Sequence, residues 1–276
     1  MAAETSPHFT VKRDGQVATI WARRSEGLKP EEREAASSIP SALALANLFD
    51  GLRADDGIRV IVLHRGGVHH GGHTTKRYAS EEWKAHHNDP VNIWRTFSGI
   101  IRLHEVMASI EKPIIAQVDG DLIGGGCYIA LSADLIVARE DARFGDHHLA
   151  MGQFDPVGPP FGLVPGDGGV SLTPLYFSPP LAKEFLMLGK SYTAKELAER
   201  GIINYAVPEN EIDGVVADLV RRLLERPAYP LAWAKRVANR HVVDQLNRTL
   251  DAGAAYEMIG LSQLERLGWI DKKTLD

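Results

Sequence analysis

The chain changes its hydrophobic rhythm several times, and each change marks an element. Phe9 to Arg13 and Gln16 to Ala22, split by Asp14-Gly15, have the pattern of a β-hairpin. Arg23 to Ser38 is polar and without period, whereas Ser41 to Leu52 carries apolar residues at helical spacing. Gly57 to Leu63 is an apolar run of strand length. A loop with His64, His69, His70 and His73 follows, then a polar stretch to Pro90, then a helical period from Ile93 to Ile110. Pro113 to Val118, Asp134 to Ala138 and Ile202 to Val207 predict three further strands. Between the first two of these, Gly124-Gly125-Gly126 opens an apolar helix that runs through Leu131. Met151 to Val164, rich in proline and glycine, reads as a loop, and Val164 to Gly169 opens another helix. Thr193-Ala194-Lys195-Glu196 is a capping box, and Gly201 ends the helix it starts. From Glu209 onward the pattern is nearly all helical, broken at Pro227 and Pro230. Strands alternate with helices up to Val207 and helices alone follow. That order predicts a layered α/β core over residues 1–207 and a helical C-terminal part over 208–276.

Composition narrows the field. A chain of 276 residues can bury a large core, and 44% hydrophobic with 24% charged residues is the balance of a soluble globular protein. A net charge of -5 argues against nucleic acid as a partner. The single cysteine, Cys127, excludes an internal disulfide framework and fits a reducing compartment. Met1 to Pro7 lacks the apolar core of a signal peptide, and no apolar run reaches membrane-spanning length. The expected setting is the cytoplasm, away from membranes.

The stretch from Lys112 to Ala138 carries a resemblance. A Lys-Pro strand, the Gly124-Gly125-Gly126 helix start and the strand Ala133-Asp134-Leu135-Ile136-Val137-Ala138 are similar to the central segment of the crotonase (enoyl-CoA hydratase/isomerase) superfamily. The resemblance extends from about Val11 to about Leu261. It implies a spiral core of ββα units with a C-terminal helical trimerisation part, hence a homotrimer or hexamer. It also implies an oxyanion hole of two backbone amides, with Gly125 supplying one. His70-Gly71-Gly72-His73 matches the segment that supplies the other, which points to Gly72. Amides at a glycine-rich helix start can meet a developing negative charge without side chains in the way.

The departures from that family shape the chemistry. Its hydratases use two glutamates to hold and activate water; the matching positions here are Tyr128 and His148. A phenol is a poor base near neutrality, while an imidazole titrates there. Val164-Pro165-Gly166-Asp167-Gly168 is similar to a segment of 6-oxocamphor hydrolase, a family member that cleaves β-diketones by a retro-Claisen reaction. That likeness implies His148 (with His147 as the neighbouring alternative), Asp167 and Glu257 as catalytic residues; His73, Tyr128 and His147 are expected to line the substrate pocket. The principal histidine of that enzyme has no counterpart among Gly126 to Tyr128. His148, as a neutral imidazole, is expected to take the proton of water instead.

Plainer roles exist for each. Asp167 can cap the following helix, His147 and His148 can be surface residues, and Glu257 can lie on a helix surface. His69, His70 and His73 could bind a metal, but no carboxylate or cysteine shares their spacing, so no metal is expected. Nor is a cofactor expected beyond CoA carried by a thioester substrate. The usual Arg-Pro…Asn-Ala segment of CoA users is absent from Arg23 to Ala36, where Arg24 and Lys29 could still meet phosphates. The sequence thus points to an enzyme acting on a small carbonyl or acyl-CoA substrate, leaning to hydrolytic C–C cleavage. Enoyl-CoA hydration or isomerisation through His148 and Asp167 is the alternative, and a catalytically silent relative is the third.

Overall fold

The computed structural model describes residues 4–5, 9–22, 40–65, 89–146, 148–149 and 163–263. Among these residues the centre is a seven-stranded sheet. Strands β1 (Glu4–Thr5), β2 (Phe9–Asp14) and β3 (Val17–Ala22) are antiparallel. Then β4 (Val60–Arg65), β5 (Ile114–Val118), β7 (Leu135–Arg139) and β10 (Tyr205–Val207) add on in parallel, in chain order. Parallel neighbours need crossovers. Helices α1 (Pro40–Ala54) and α2 (Pro90–Ser109) lie in the first two of these connections, and α3 (Gly125–Leu131) lies in the third.

The continuous apolar runs follow from burial on both faces. Side chains alternate across a strand, so Ile61 and Leu63 enter the main core while Val60 and Val62 enter a second one. The main core also holds Phe97, Leu103 and Met107 of α2. The second is closed by Ile212, Val216 and Leu219 of α7 (Ile212–Leu224). The helices after Val207 share both cores: α9 (Arg240–Gln263) sends Val242, Leu246, Leu250 and Ala254 into the first. Between them α8 (Ala228–Ala238) is tied to the sheet by Lys235, whose Nζ lies 2.7 Å from Asp134.

A small second sheet carries the site. It has β6 (Leu122–Ile123), β8 (Arg143–Gly145) and β9 (Tyr192–Thr193) in that order. Helices α4 (Gly169–Tyr176) and α5 (Pro179–Leu188) precede β9, and α6 (Ala194–Glu199) follows it. The capping box at Thr193 and Glu196 is formed, and Gly201 follows with a φ of +70°.

Some boundaries differ from the expectation. Strand β4 starts at Val60 because Gly57 donates its N–H to Asp55 Oδ1 and makes a turn instead. The hairpin turn is Gly15-Gln16, since Asp14 already pairs with Val17. Ile202 and Ile203 are buried but not extended, so β10 is short. Pro230 does not interrupt α8, because it lies in the first turn, where its missing N–H has no helical partner to lose.

Candidate active site

Strand β8 ends at Gly145, whose carbonyl accepts the N–H of Gly124 at 2.9 Å. That bond seats the glycine turn beside the chain that leaves β8. Asp146 follows, fully buried. Its Oδ1 accepts the backbone N–H of His148 at 3.0 Å, the local bond an aspartate makes two residues ahead. Its Oδ2 accepts His148 Nδ1–H at 2.9 Å and also the hydroxyl of Tyr128, from α3. The other ring nitrogen of His148 points to two further carboxylates. Nε2 lies 3.4 Å from Glu257 Oε1 and 3.6 Å from Asp167 Oδ1.

Those two carboxylates are held from different directions. Glu257 comes from α9, and its Oε2 accepts the N–H of Gly166 at 2.9 Å. Asp167 sits in the turn before α4, where its carbonyl accepts Nε2–H of buried His104 at 2.9 Å. Its Oδ1 is buried without a hydrogen-bond partner. The glycines explain how this turn fits. A Cβ on Gly166 would lie 2.2 Å from the carbonyl oxygen of Gly253 on α9. One on Gly168 would lie 2.6 Å from His104 Nε2, and that residue has a φ of +119°. The segment passes between α2, α3 and α9 with no room for a side chain at those positions.

Electrostatics follow from this crowding. Burial alone would push the His148 imidazolium down, but the carboxylates of Asp167, Asp146 and Glu257 outweigh it and hold the ring well above the usual imidazole range. Burial raises Asp167 to about 7; His148 opposes the rise, while Glu257 and Asp146 add to it. Burial and the charges of Asp146 and Asp167 push the Tyr128 phenol well above its ordinary value. The three carboxylates thus favour the charged imidazole over the neutral one expected from the sequence. Asp167, raised to about 7, is the group poised between charge states near neutral pH.

The structure brings together His148, Asp167 and Glu257, with Tyr128 one bond further back on Asp146. It removes the plainer roles for all three. His148 and Glu257 are 4% and 6% exposed, and Gly168, not Asp167, stands at the N-cap of α4. Gly125 is the first residue of α3. Gly72, His73 and His147 lie outside the described residues, as do His69, His70 and residues 150–162. Two residues were missed, Asp146 and His104. An Asp-x-His spacing directly after a strand, and a histidine on the buried face of α2, were the available signals. Ligand atoms of His148, Asp167 and Glu257 lie within 4.8 Å of one another, the one set among the described residues able to hold a metal. A charged imidazole presents N–H there instead of a lone pair, which disfavours that use.

The comparisons with known proteins agree with this architecture. The family profile for enoyl-CoA hydratase/isomerase matches residues 33–260. A crotonyl-CoA hydratase of Syntrophomonas wolfei is 29% identical over 155 residues, 56% of this chain and 55% of that protein. The matched stretch thus spans about half of that relative. A carnitinyl-CoA dehydratase of Salmonella enteritidis is 27% identical over 211 residues, 75% of this chain and 74% of that one. Among solved structures, an enoyl-CoA hydratase/isomerase from Mycobacterium paratuberculosis superposes with a TM-score of 0.75 at 23% identity, covering 98% of this chain and 99% of its own. A β-diketone hydrolase from Anabaena sp. PCC 7120 gives 0.74 at 19% identity, covering 94% and 96%.

Proposed function

The chain belongs to the enoyl-CoA hydratase/isomerase family, and we propose that within it this protein hydrolyses a carbon–carbon bond next to a carbonyl. One observation carries the reading: a buried histidine faces Asp167 and Glu257 through Nε2 and Asp146 through Nδ1. The position that resembles a hydratase glutamate holds this histidine instead. A hydratase pair of carboxylates is missing, while a proton-rich acid/base cluster is present.

The chemistry is as follows. The carbonyl oxygen rests on the amide of Gly125, with the sequence resemblance assigning the second amide to Gly72, outside the described residues. Such a donor is worth roughly 3 kcal/mol of transition-state stabilisation where one has been removed from other enzymes. Water gives a proton to Asp167, and its oxygen bonds to the carbonyl carbon. The C–C bond then breaks and its electron pair leaves as an enolate. The His148 imidazolium returns a proton to the enolate carbon, yielding a carboxylic acid and a ketone from a β-diketone. The proton on Asp167 passes back to His148 across their 3.6 Å separation. Glu257 keeps a compensating charge beside the cation.

The names of the relatives favour a second substrate class, acyl-CoA thioesters, with the same cluster serving hydration or isomerisation. Activity on a panel of β-diketones and enoyl-CoA esters separates the two. On the better substrate, His148→Ala and Asp167→Asn are each expected to lower kcat by roughly 10²–10⁴-fold, the range for losing a general acid or base. Wild-type turnover in both variants sinks the reading.

A further inference from the structure

We propose that Asp146 is the positioning residue of this cluster: it fixes the His148 ring so that Nε2 is the working atom, and its carboxylate on Nδ1 favours the charged ring. The inference rests on the reading that His148 acts on the substrate, and concerns how it is made ready.

The geometry is specific. Asp146 accepts two N–H groups of the same histidine, the backbone N–H on Oδ1 and Nδ1–H on Oδ2. Gripping main chain and ring together leaves neither side-chain torsion free. A ring flip would turn a C–H toward Oδ2 and strand a buried N–H. Tyr128 donates to the same Oδ2, which keeps the carboxylate from turning away. Asp146 is fully buried, so water does not compete for these bonds. Asparagine cannot copy the arrangement. Both its atoms would have to accept, and one of them is an NH₂.

Other charged groups face the ring as well. Asp167 approaches from the turn before α4 and Glu257 from α9, both on Nε2, while His104 of α2 holds the Asp167 carbonyl from behind. Asp146 differs in sitting on the opposite nitrogen, where it can set the tautomer without meeting substrate. A fixed carboxylate on the far nitrogen is how enzymes and metal sites hold an imidazole in one orientation.

The test needs no substrate. Long-range ¹H–¹⁵N spectra of ¹⁵N-labelled protein report both ring nitrogens, and His148 is assigned by its loss in His148→Gln. In the wild type both nitrogens should be protonated at pH 7. In Asp146→Asn the titration midpoint should move down by about 1–3 pH units, the range for losing an adjacent opposite charge, and Nδ1 should lose its hydrogen-bonded signature. Should Asp146→Asn fail to fold, Tyr128→Phe reads the same contact with opposite sign. The carboxylate then loses a competing donor, and the midpoint should rise. A neutral ring in the wild type at pH 7, or an unchanged midpoint and nitrogen signature in the variants, overturns the proposal. If His148→Ala is inactive while Asp146→Asn leaves the ring unaltered, the positioning role fails and the function stands. If the ring responds as stated but His148→Ala keeps full turnover, the function fails and the positioning role stands.

Discussion

Asp167 owes its raised carboxyl to burial first; His148 opposes the rise, while Glu257 and Asp146 add to it. The sign of the consequence is fixed. The folded chain holds this proton more tightly than the unfolded chain, whose value is the ordinary 3.8. The stability this brings is complete below that value and is lost as pH rises to about 7. Asp167→Asn removes the charge that burial resists. Its melting temperature should exceed the wild type's at pH 8, by roughly 2–4 °C for each kcal/mol recovered, and the gap should close toward pH 4. Calorimetry at both values checks this, and an equal gap at both would contradict it. Asp167 and Glu257 were readable from the sequence through a resemblance, and His148 through its position after Phe144-Gly145. Asp146 was not singled out, although it stands in the same short segment. Its meaning depends on Tyr128, which reaches it only because β6 pairs with β8 and brings α3 alongside.

At the scale of elements, the strands were legible in their centres because both faces are buried, as Val60 to Leu63 show. Their ends were not, because one side chain decides them: Asp55 turns Gly57 out of β4. The close crossing of α9 over the turn before α4 was invisible for a similar reason. Gly166 and Gly253 look like ordinary breakers until they are seen to touch. Gly166→Ala would drive a methyl into the Gly253 carbonyl and push α9 away, taking Glu257 with it. We expect a loss of about 1–3 kcal/mol, the usual cost of overpacking, and a fall in kcat larger than any rise in KM. Denaturant unfolding and steady-state kinetics measure the two. A variant as stable and as fast as the wild type would show that this crossing has slack.

At the scale of the whole molecule, the helices after Val207 play two parts. Leu219 and Leu246 are buried within the chain itself. Tyr229, Trp233 and Val237 of α8 remain exposed on one stripe, with Arg236 over the Trp233 ring. An apolar stripe of that kind is the face we expect a trimer to cover. Trp233→Glu with Val237→Glu should shift the mass seen by light scattering at micromolar concentration toward the monomer. A wild-type chain already monomeric there would remove the expectation. No helix among the described residues is long and apolar enough to cross a membrane. The reach of Glu257 has a consequence in time. It meets Gly166 across 91 residues of chain, from the last long helix. A chain still being synthesised can pair its strands and close much of its core while the acid/base cluster lacks a member. Completion of the site therefore waits on completion of the fold, and a chain that stalls before α9 docks carries no assembled chemistry to misuse.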